Sequence, residues 1–220
     1  MNQPHNDKVL FKLDVKIAFN SIRRDTVLQE AQKHLSEIYP FIWDSYSLKT
    51  SIFHGNFSLD SATGVQQGDP LNPALFTLAI HEVTSKIKAD LNIWYLDDGC
   101  IGGDPQTMLT NATMIRESLS SIGLEITNSK SKLLLINHTD INKPQTSKLY
   151  QDQFPSLSIP DPIHWQLLGS PLHLESAPLH LKAKIKVFHS ITENLELIEP
   201  HQAFFILKNC LSIPKLISVA

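Results

Sequence analysis

Two adjacent aspartates, Asp97 and Asp98, stand in an otherwise apolar stretch, NIWYLDDGCIGG at residues 92–103. An apolar run, a charged pair, a glycine and a second apolar run describe a β-hairpin whose tip carries both carboxylates. The Asp98-Gly99 step is the expected turn, because glycine reaches positive φ without strain. In a polar surface loop, Asp-Asp-Gly is turn chemistry and nothing more. Here Trp94, Tyr95, Leu96 and Ile101 flank it, so the tip emerges from a buried sheet. Like charges side by side in such a place repel and raise each other's pKa. A divalent cation removes that penalty, and Mg2+ is commonly held by one or two carboxylates together with substrate phosphates.

The remaining chain supplies a partner for this hairpin. Residues 9–15, VLFKLDV, alternate as a strand with Val9, Phe11, Leu13 and Val15 on one apolar face. Asp14 lies on the opposite face near the strand's C-terminal end. Ala18, Phe19 and Asn20 follow in a tight connection. Asp25 is the expected N-cap of a helix reaching about Tyr39 and stopped by Pro40. Residues 41–48 continue helical, and residues 51–53 and 57–59 form a hairpin about His54-Gly55-Asn56. Two glycines and two prolines make residues 64–73 a specified loop. Pro73 opens a helix to about Ala89. A second helix runs from the Asp104-Pro105 cap to Ile122, with Gly123 as its C′ residue. Residues 124–126 and 132–136 read as strands, residues 138–158 as an irregular connection, and residues 163–168 as a short strand. Beyond Ser176 the pattern is helical, with Leu181, Ile185, Phe188, Ile191 and Leu195 in one stripe, and residues 203–211 form a last helix.

This order describes an α+β fold: an antiparallel sheet with helices on one face, of the split βαβ, ferredoxin-like kind. In such a sheet the Asp14 strand can lie beside the Asp97-Asp98 hairpin, so that three carboxylates converge. That constellation suits two metal ions about 3.5–4 Å apart stabilising an in-line phosphoryl displacement. A carboxylate-metal nuclease would use the same aspartates but leaves the QQGDP loop unexplained.

Charge narrows the reading. A net charge of −3 and a pI near 6.3 give no basic footprint, so this chain alone should bind DNA or RNA weakly. A catalytic carboxylate module can still be acidic while neighbouring modules supply the basic grip. The ten histidines show no HExxH or Cys/His spacing, and the two cysteines are expected to be reduced and buried. The N-terminus has no signal-peptide pattern, and no apolar run approaches the ~20 residues of a membrane span. The expected setting is intracellular, nuclear or cytoplasmic, and not secreted.

At the level of motifs the sequence resembles the reverse transcriptase, or RNA-directed DNA polymerase, of non-LTR retrotransposons. LDVKIAFNSI looks like the family's first palm motif, GVQQGDPLNPALF the second and NIWYLDDG the YxDD third. GLEITNSKSK resembles the fourth and QLLGSPL the fifth. The resemblance implies a polymerase palm over residues 1–170 with the fingers largely missing, followed by a partial, mainly helical thumb over residues 171–220. It implies that Asp14 and Asp97 ligate two Mg2+ ions, with Mn2+ a substitute, and that Asp98 helps to hold or tune them. Phe19 would pack under the sugar and reject a ribose 2′-OH, although a core aromatic reads the same in sequence. Gln67 and Gly68 would line the nucleotide pocket, and Tyr95 would sit near the primer end. Lys130, or alternatively Lys132, would approach the leaving pyrophosphate, unless both lysines merely edge a strand. Leu168 and Gly169 would belong to the primer grip. The implied partners are an RNA template, a DNA primer, dNTPs, and fingers and a full thumb from a longer polyprotein, with no membrane. Asn20, where many relatives carry Asp, and Asn72, in place of a small residue, depart from the pattern. A truncated, inactive palm remnant is the alternative the missing fingers raise.

Overall fold

The computed structural model describes residues 7–139, 142–167 and 169–208. They fall into two compact units, residues 1–159 and 160–220. In chain order the first unit contains β1 (Lys8–Asp14), α1 (Ala18–Ser21), α2 (Arg24–His34), α3 (Tyr39–Tyr46), β2 (Thr50–His54), β3 (Phe57–Ser61), α4 (Asn72–Thr84), β4 (Leu91–Tyr95), β5 (Asp98–Gly103), α5 (Pro105–Ser121), β6 (Lys132–Ile136) and α6 (Asn142–Gln153). β1 is central because its alternation gives it one wholly apolar face. Val9, Phe11 and Leu13 are buried there, against side chains from α2, α4 and α5 such as Val27, Phe76 and Ile115. Its two edges pair antiparallel with β5 and β6, and β4 completes the sheet in the order β4-β5-β1-β6. The expected α+β layer, an antiparallel sheet with helices, is what forms.

The hairpin of β4 and β5 carries its aspartates at the tip, but glycine does not make the turn. Tyr95 pairs with Asp98, leaving a two-residue loop of Leu96 and Asp97, of which Leu96 alone has positive φ, 56°. Positive φ at the first loop position is the type II′ pattern, which ordinarily selects glycine. A leucine held there carries strain on the order of 1–3 kcal/mol. Gly99 lies in the ladder between Leu13 and Trp94, and a Cβ on it would come within 2.6 Å of the Trp94 ring. Its small size admits the indole.

Other boundaries also move. Residues 18–21 make a short helix entered through Ile17, whose φ is 46°. Arg23, not Asp25, is the N-cap of α2; Asp25 lies in the first turn, ion-paired with Arg23. α2 stops at His34, and Pro40 falls in the first turn of α3, where a missing N–H is harmless. α4 ends at Thr84, short of Ala89. Residues 124–126 make only one bridge, Ile126 to Val15. Within the stretch expected to be irregular, residues 142–153 are helical. α6 is polar because it buries one ring, Tyr150, whose hydroxyl donates to the Pro105 carbonyl (2.9 Å) and whose edge meets Phe11. The hairpin of β2 and β3 forms as expected, with most of its residues exposed. Cys100 is buried and unpaired; Cys210 lies outside the described residues.

The second unit has a short 3₁₀ turn, Pro162–His164, before a small ladder of β7 (Gln166–Leu167) and β8 (Ser170–Pro171), then α7 (Ala177–Leu195) and α8 (Pro200–Ile206). The expected strand at residues 163–168 is reduced to β7, and the last helix begins earlier than residue 203. Leu181 and Ile185 of the α7 stripe are exposed, while Phe188, Ile191 and Leu195 are half-buried. No helix among the described residues is long and apolar enough to cross a membrane.

The cap of α5 is a test of the local reading. Asp104 accepts the Thr107 backbone N–H (2.9 Å), and that bond, foremost, holds its carboxyl below the usual value of 3.8. The resulting stability is complete above that usual value and is lost as pH falls through the lowered one. Asp104→Ala should lower stability by about 1 kcal/mol at neutral pH, whereas Asp104→Asn should retain the cap and flatten the loss on acidification. Denaturant titrations at pH 7 and pH 3 measure both effects.

Candidate active site

The β1–β5 register sets Asp14 directly opposite Asp98. Neighbours fix the backbone of Asp14 on both sides. The Asp14 N–H donates to Ser131 Oγ (3.1 Å), and the Asp14 carbonyl accepts the Thr127 N–H (2.7 Å). Asp97 occupies the adjoining turn, where burial, foremost, raises its carboxyl above the ordinary value. The charges of Asp98 and Asp14 push the same way, against its own backbone N–H and Lys12. The three carboxylates therefore lie within electrostatic reach of one another. They are not one cage: among the described residues no three His, Cys, Asp or Glu side chains are grouped to hold one metal ion. Asp98 instead meets Lys12, with Nζ 3.2 Å from Oδ1. Asp14 and Asp97 remain as hard oxygen donors, a set that fits Mg2+ held by two carboxylates and completed by phosphate oxygens.

A second set of predicted residues lies around the loop after β3. Gly64 has φ of +72°, and any Cβ there would overlap the Phe19 carbonyl. That close approach lets the Gly64 N–H donate to Ile22 (2.8 Å) and the Val65 N–H to Phe19 (2.7 Å), so the loop is stitched onto α1. Phe19 rests on Phe76 with ring centroids 4.7 Å apart and is half-buried. Its ring is thus supported by the core without being enclosed in it. Gln67 donates through Nε2 to Asn20 Oδ1 (3.2 Å), which gives the Asn20 departure a structural partner. Gly68 has φ of +94° and open space where a side chain would stand. Asn20 and Gln67 border a groove of about 690 Å³ lined also by Thr50, Ile52, Asp60, Ser61, Thr63, Val65 and Gln66.

The loop is anchored by groups the sequence reading passed over. Arg24 is buried and donates to the Gly64 carbonyl (3.0 Å) and to Ser61 O and Oγ (2.8 and 2.7 Å). The Tyr46 hydroxyl donates to Asp69 (2.6 Å) and accepts the Gln66 N–H; burial, then Asp69, pushes it up to about 12. Asn72, buried, donates from Nδ2 to the Gln66 carbonyl (3.1 Å), so the second departure also holds the turn. None of these has a one-dimensional signature. Lys12 had one: it stands two residues before Asp14 and so shares its face.

Tyr95 is exposed opposite Asp98, beside a hollow of about 360 Å³ between α4 and the turn, lined by Thr77, Ile80, Trp94 and Leu96 among others. Lys130 is exposed in the loop whose backbone bonds tie Thr127 to Asp14, and Lys132, at the start of β6, pairs with Lys12 of β1. Leu168 lies outside the described residues, and Gly169, with φ of +77°, turns β7 into β8 within the second unit.

Residues 1–171 match the protein family described as reverse transcriptase (RNA-dependent DNA polymerase). No curated protein matches the chain. Among solved structures, apo telomerase from Candida tropicalis, truncated from its C-terminal domain, aligns with TM-score 0.50 and 12% identity over 61% of this chain and 32% of that one. Telomerase from Candida albicans in complex with a TWJ fragment of telomeric RNA aligns with TM-score 0.40 and 13% identity over 60% and 27%. The chain thus spans about a third of the length of the telomerase chains it matches. The Candida tropicalis likeness shows the fold, that of a polymerase palm.

The raised carboxyl of Asp97 predicts a trade between stability and function. An acid raised in the folded state favours folding below its unfolded pKa, and that contribution is lost as pH rises through the raised value. Asp97 should therefore destabilise the metal-free protein increasingly as pH rises through its raised value towards neutrality. Asp97→Asn should raise the neutral-pH melting temperature in EDTA and remove Asp97's share of that slope. Thermal melts across this range give the sign directly.

Proposed function

The chain belongs to the reverse transcriptase (RNA-dependent DNA polymerase) family, and on that premise we propose that it provides the catalytic palm of an RNA-directed DNA polymerase from a non-LTR retrotransposon. The observation that carries this reading is the register opposing Asp14 and Asp98, with Asp97 in the adjoining turn. The retrotransposon origin rests on the five motifs in order. Residues 1–170 form the palm in this reading and residues 171–220 the beginning of a helical thumb. The reaction adds a dNTP to a primer 3′-OH: the hydroxyl oxygen bonds to the α-phosphorus, and the bond to pyrophosphate breaks.

Asp14 and Asp97 are the ligands for two Mg2+ ions, or Mn2+ in their place, and Asp98 helps to hold or tune them. Bound there, the ions supply charge stabilisation for the in-line displacement. The protein's share is orientation. Phe19, backed by Phe76, meets the sugar and excludes a 2′-OH. Gln67 and Gly68 contact the incoming nucleotide, the open side of Gly68 letting the backbone approach it. Tyr95 lies at the primer end, and Leu168 and Gly169 belong to the primer grip. Lys130, or alternatively Lys132, donates a proton towards the departing pyrophosphate. The template RNA and primer are held largely by basic surfaces beyond this acidic chain, and the polymerase works inside the cell, where those partners are.

A palm without turnover is the second reading. The exposed Phe41, Phe53, Phe57 and Leu59 favour it for the chain by itself, as surface that a fuller polymerase would cover.

Primer extension on an RNA template with a DNA primer, dNTPs and Mg2+ or Mn2+ decides between them. Extension should occur and vanish in Asp97→Asn. Silence in both proteins would leave the second reading. In the active protein, Phe19→Ala should raise ribonucleotide incorporation relative to deoxyribonucleotide by tenfold or more, while leaving template dependence intact.

A further inference from the structure

Lys12 has no place in the reaction described above, yet it reaches into the carboxylate cluster. It shares a sheet face with Asp14. Its direct partners across the strands are Cys100 on β5 and Lys132 on β6, and Asp98 is its diagonal neighbour. Diagonal neighbours on one face lie within reach of long side chains, and like charges directly opposite repel. The pairing therefore drives the Lys12 ammonium away from Lys132 and towards Asp98, where it lies at 3.2 Å. The Lys12 side chain is only 19% exposed and that of Asp98 37%, so the pair is less screened than ordinary surface ion pairs. Buried Cys100 lies between Lys12 and Ile93 in the ladder and offers the ammonium no competing charge.

Resting on the polymerase reading, we propose that Lys12 is a positioning residue that holds Asp98 as its counterion and competes with a metal ion for it, so that Asp14 and Asp97 carry most of the divalent-ion binding in the nucleotide-free protein. The ammonium takes up Asp98 Oδ1 and offsets its charge, so Asp98 holds a metal less strongly, and a fixed positive charge in the cluster opposes a second cation. The free site is then weak, and it is completed only when substrate phosphates bring further oxygens. Ion loading is thereby tied to nucleotide arrival.

Mn2+ titration of the nucleotide-free protein, with free Mn2+ followed by its paramagnetic resonance signal, reads this without turnover. Wild type is compared with Lys12→Met, Lys12→Arg, Asp98→Asn, the double variant Lys12→Met/Asp98→Asn, and Asp97→Asn as the site control. Circular dichroism melts verify folding, and Lys12→Gln substitutes if Lys12→Met does not fold. Lys12→Met should tighten Mn2+ binding on the order of tenfold, by removing a nearby charge and freeing a ligand. Lys12→Arg should stay within about twofold of wild type, since it keeps the charge and the partner. In the Asp98→Asn background the Lys12 change should have much less effect. Unchanged or weaker binding in Lys12→Met, with binding still abolished by Asp97→Asn, overturns the proposal and leaves the active-site reading standing. Equal tightening in both backgrounds also overturns it, as bulk charge alone. Mn2+ binding indifferent to Asp97→Asn defeats the active-site reading itself, and the proposal with it.

Discussion

The antiparallel pairing of β1 with β5 is the constraint on which the rest depends. It is fixed by the apolar face: Phe11 must lie opposite Ile101, and Leu13 opposite Gly99, for the core to close. Because side chains alternate strictly, that choice also decides the other face. A slip of β1 by one residue would turn Asp14 into the core and Val9, Phe11 and Leu13 out of it. The core therefore forces Asp14 against Asp98, a repulsive arrangement that no local preference would select.

Two responses to that repulsion are built into the fold. Lys12, brought by the same alternation, neutralises Asp98. Asp97 is taken out of the ladder into a turn whose first residue, Leu96, accepts positive φ. Gly99 admits Trp94 across the ladder, so the strained turn is backed by an aromatic ring packed on the core. Strain and like charge are concentrated where a cation and phosphates can relieve them, the usual location of such features.

The loop of residues 64–73 is held differently, by polar groups whose partners are buried with them. Arg24, Tyr46 and Asn72 each bond the backbone or side chains of this region. Removing one would leave an unpaired buried group at about 1–3 kcal/mol, which makes the loop a rigid wall of the groove. Gln67 is thereby fixed relative to α1, which carries Phe19 and follows β1 directly, so the wall and the carboxylates share one reference strand.

By itself the sequence determined what depends on period and local chemistry: the strand of residues 9–15, the aspartate hairpin, the capped helix α5, the hairpin of β2 and β3, and the α+β order. The carboxylate pair was legible for the same reason, since alternation places Asp14 off the apolar face. Tertiary structure decided what depends on partners distant in the chain. Polar α6 is a helix because one ring, Tyr150, finds Phe11 and Pro105. Gly99 is a glycine because of Trp94, not because of a turn. Pro40 begins a helix instead of ending one. Lys12 gains a role only when β5 brings Asp98 beside it. Local sequence specifies which groups are available and which face they take; only long-range pairing sets which of them meet, because the interaction energies are carried by contacts between segments that the sequence holds apart.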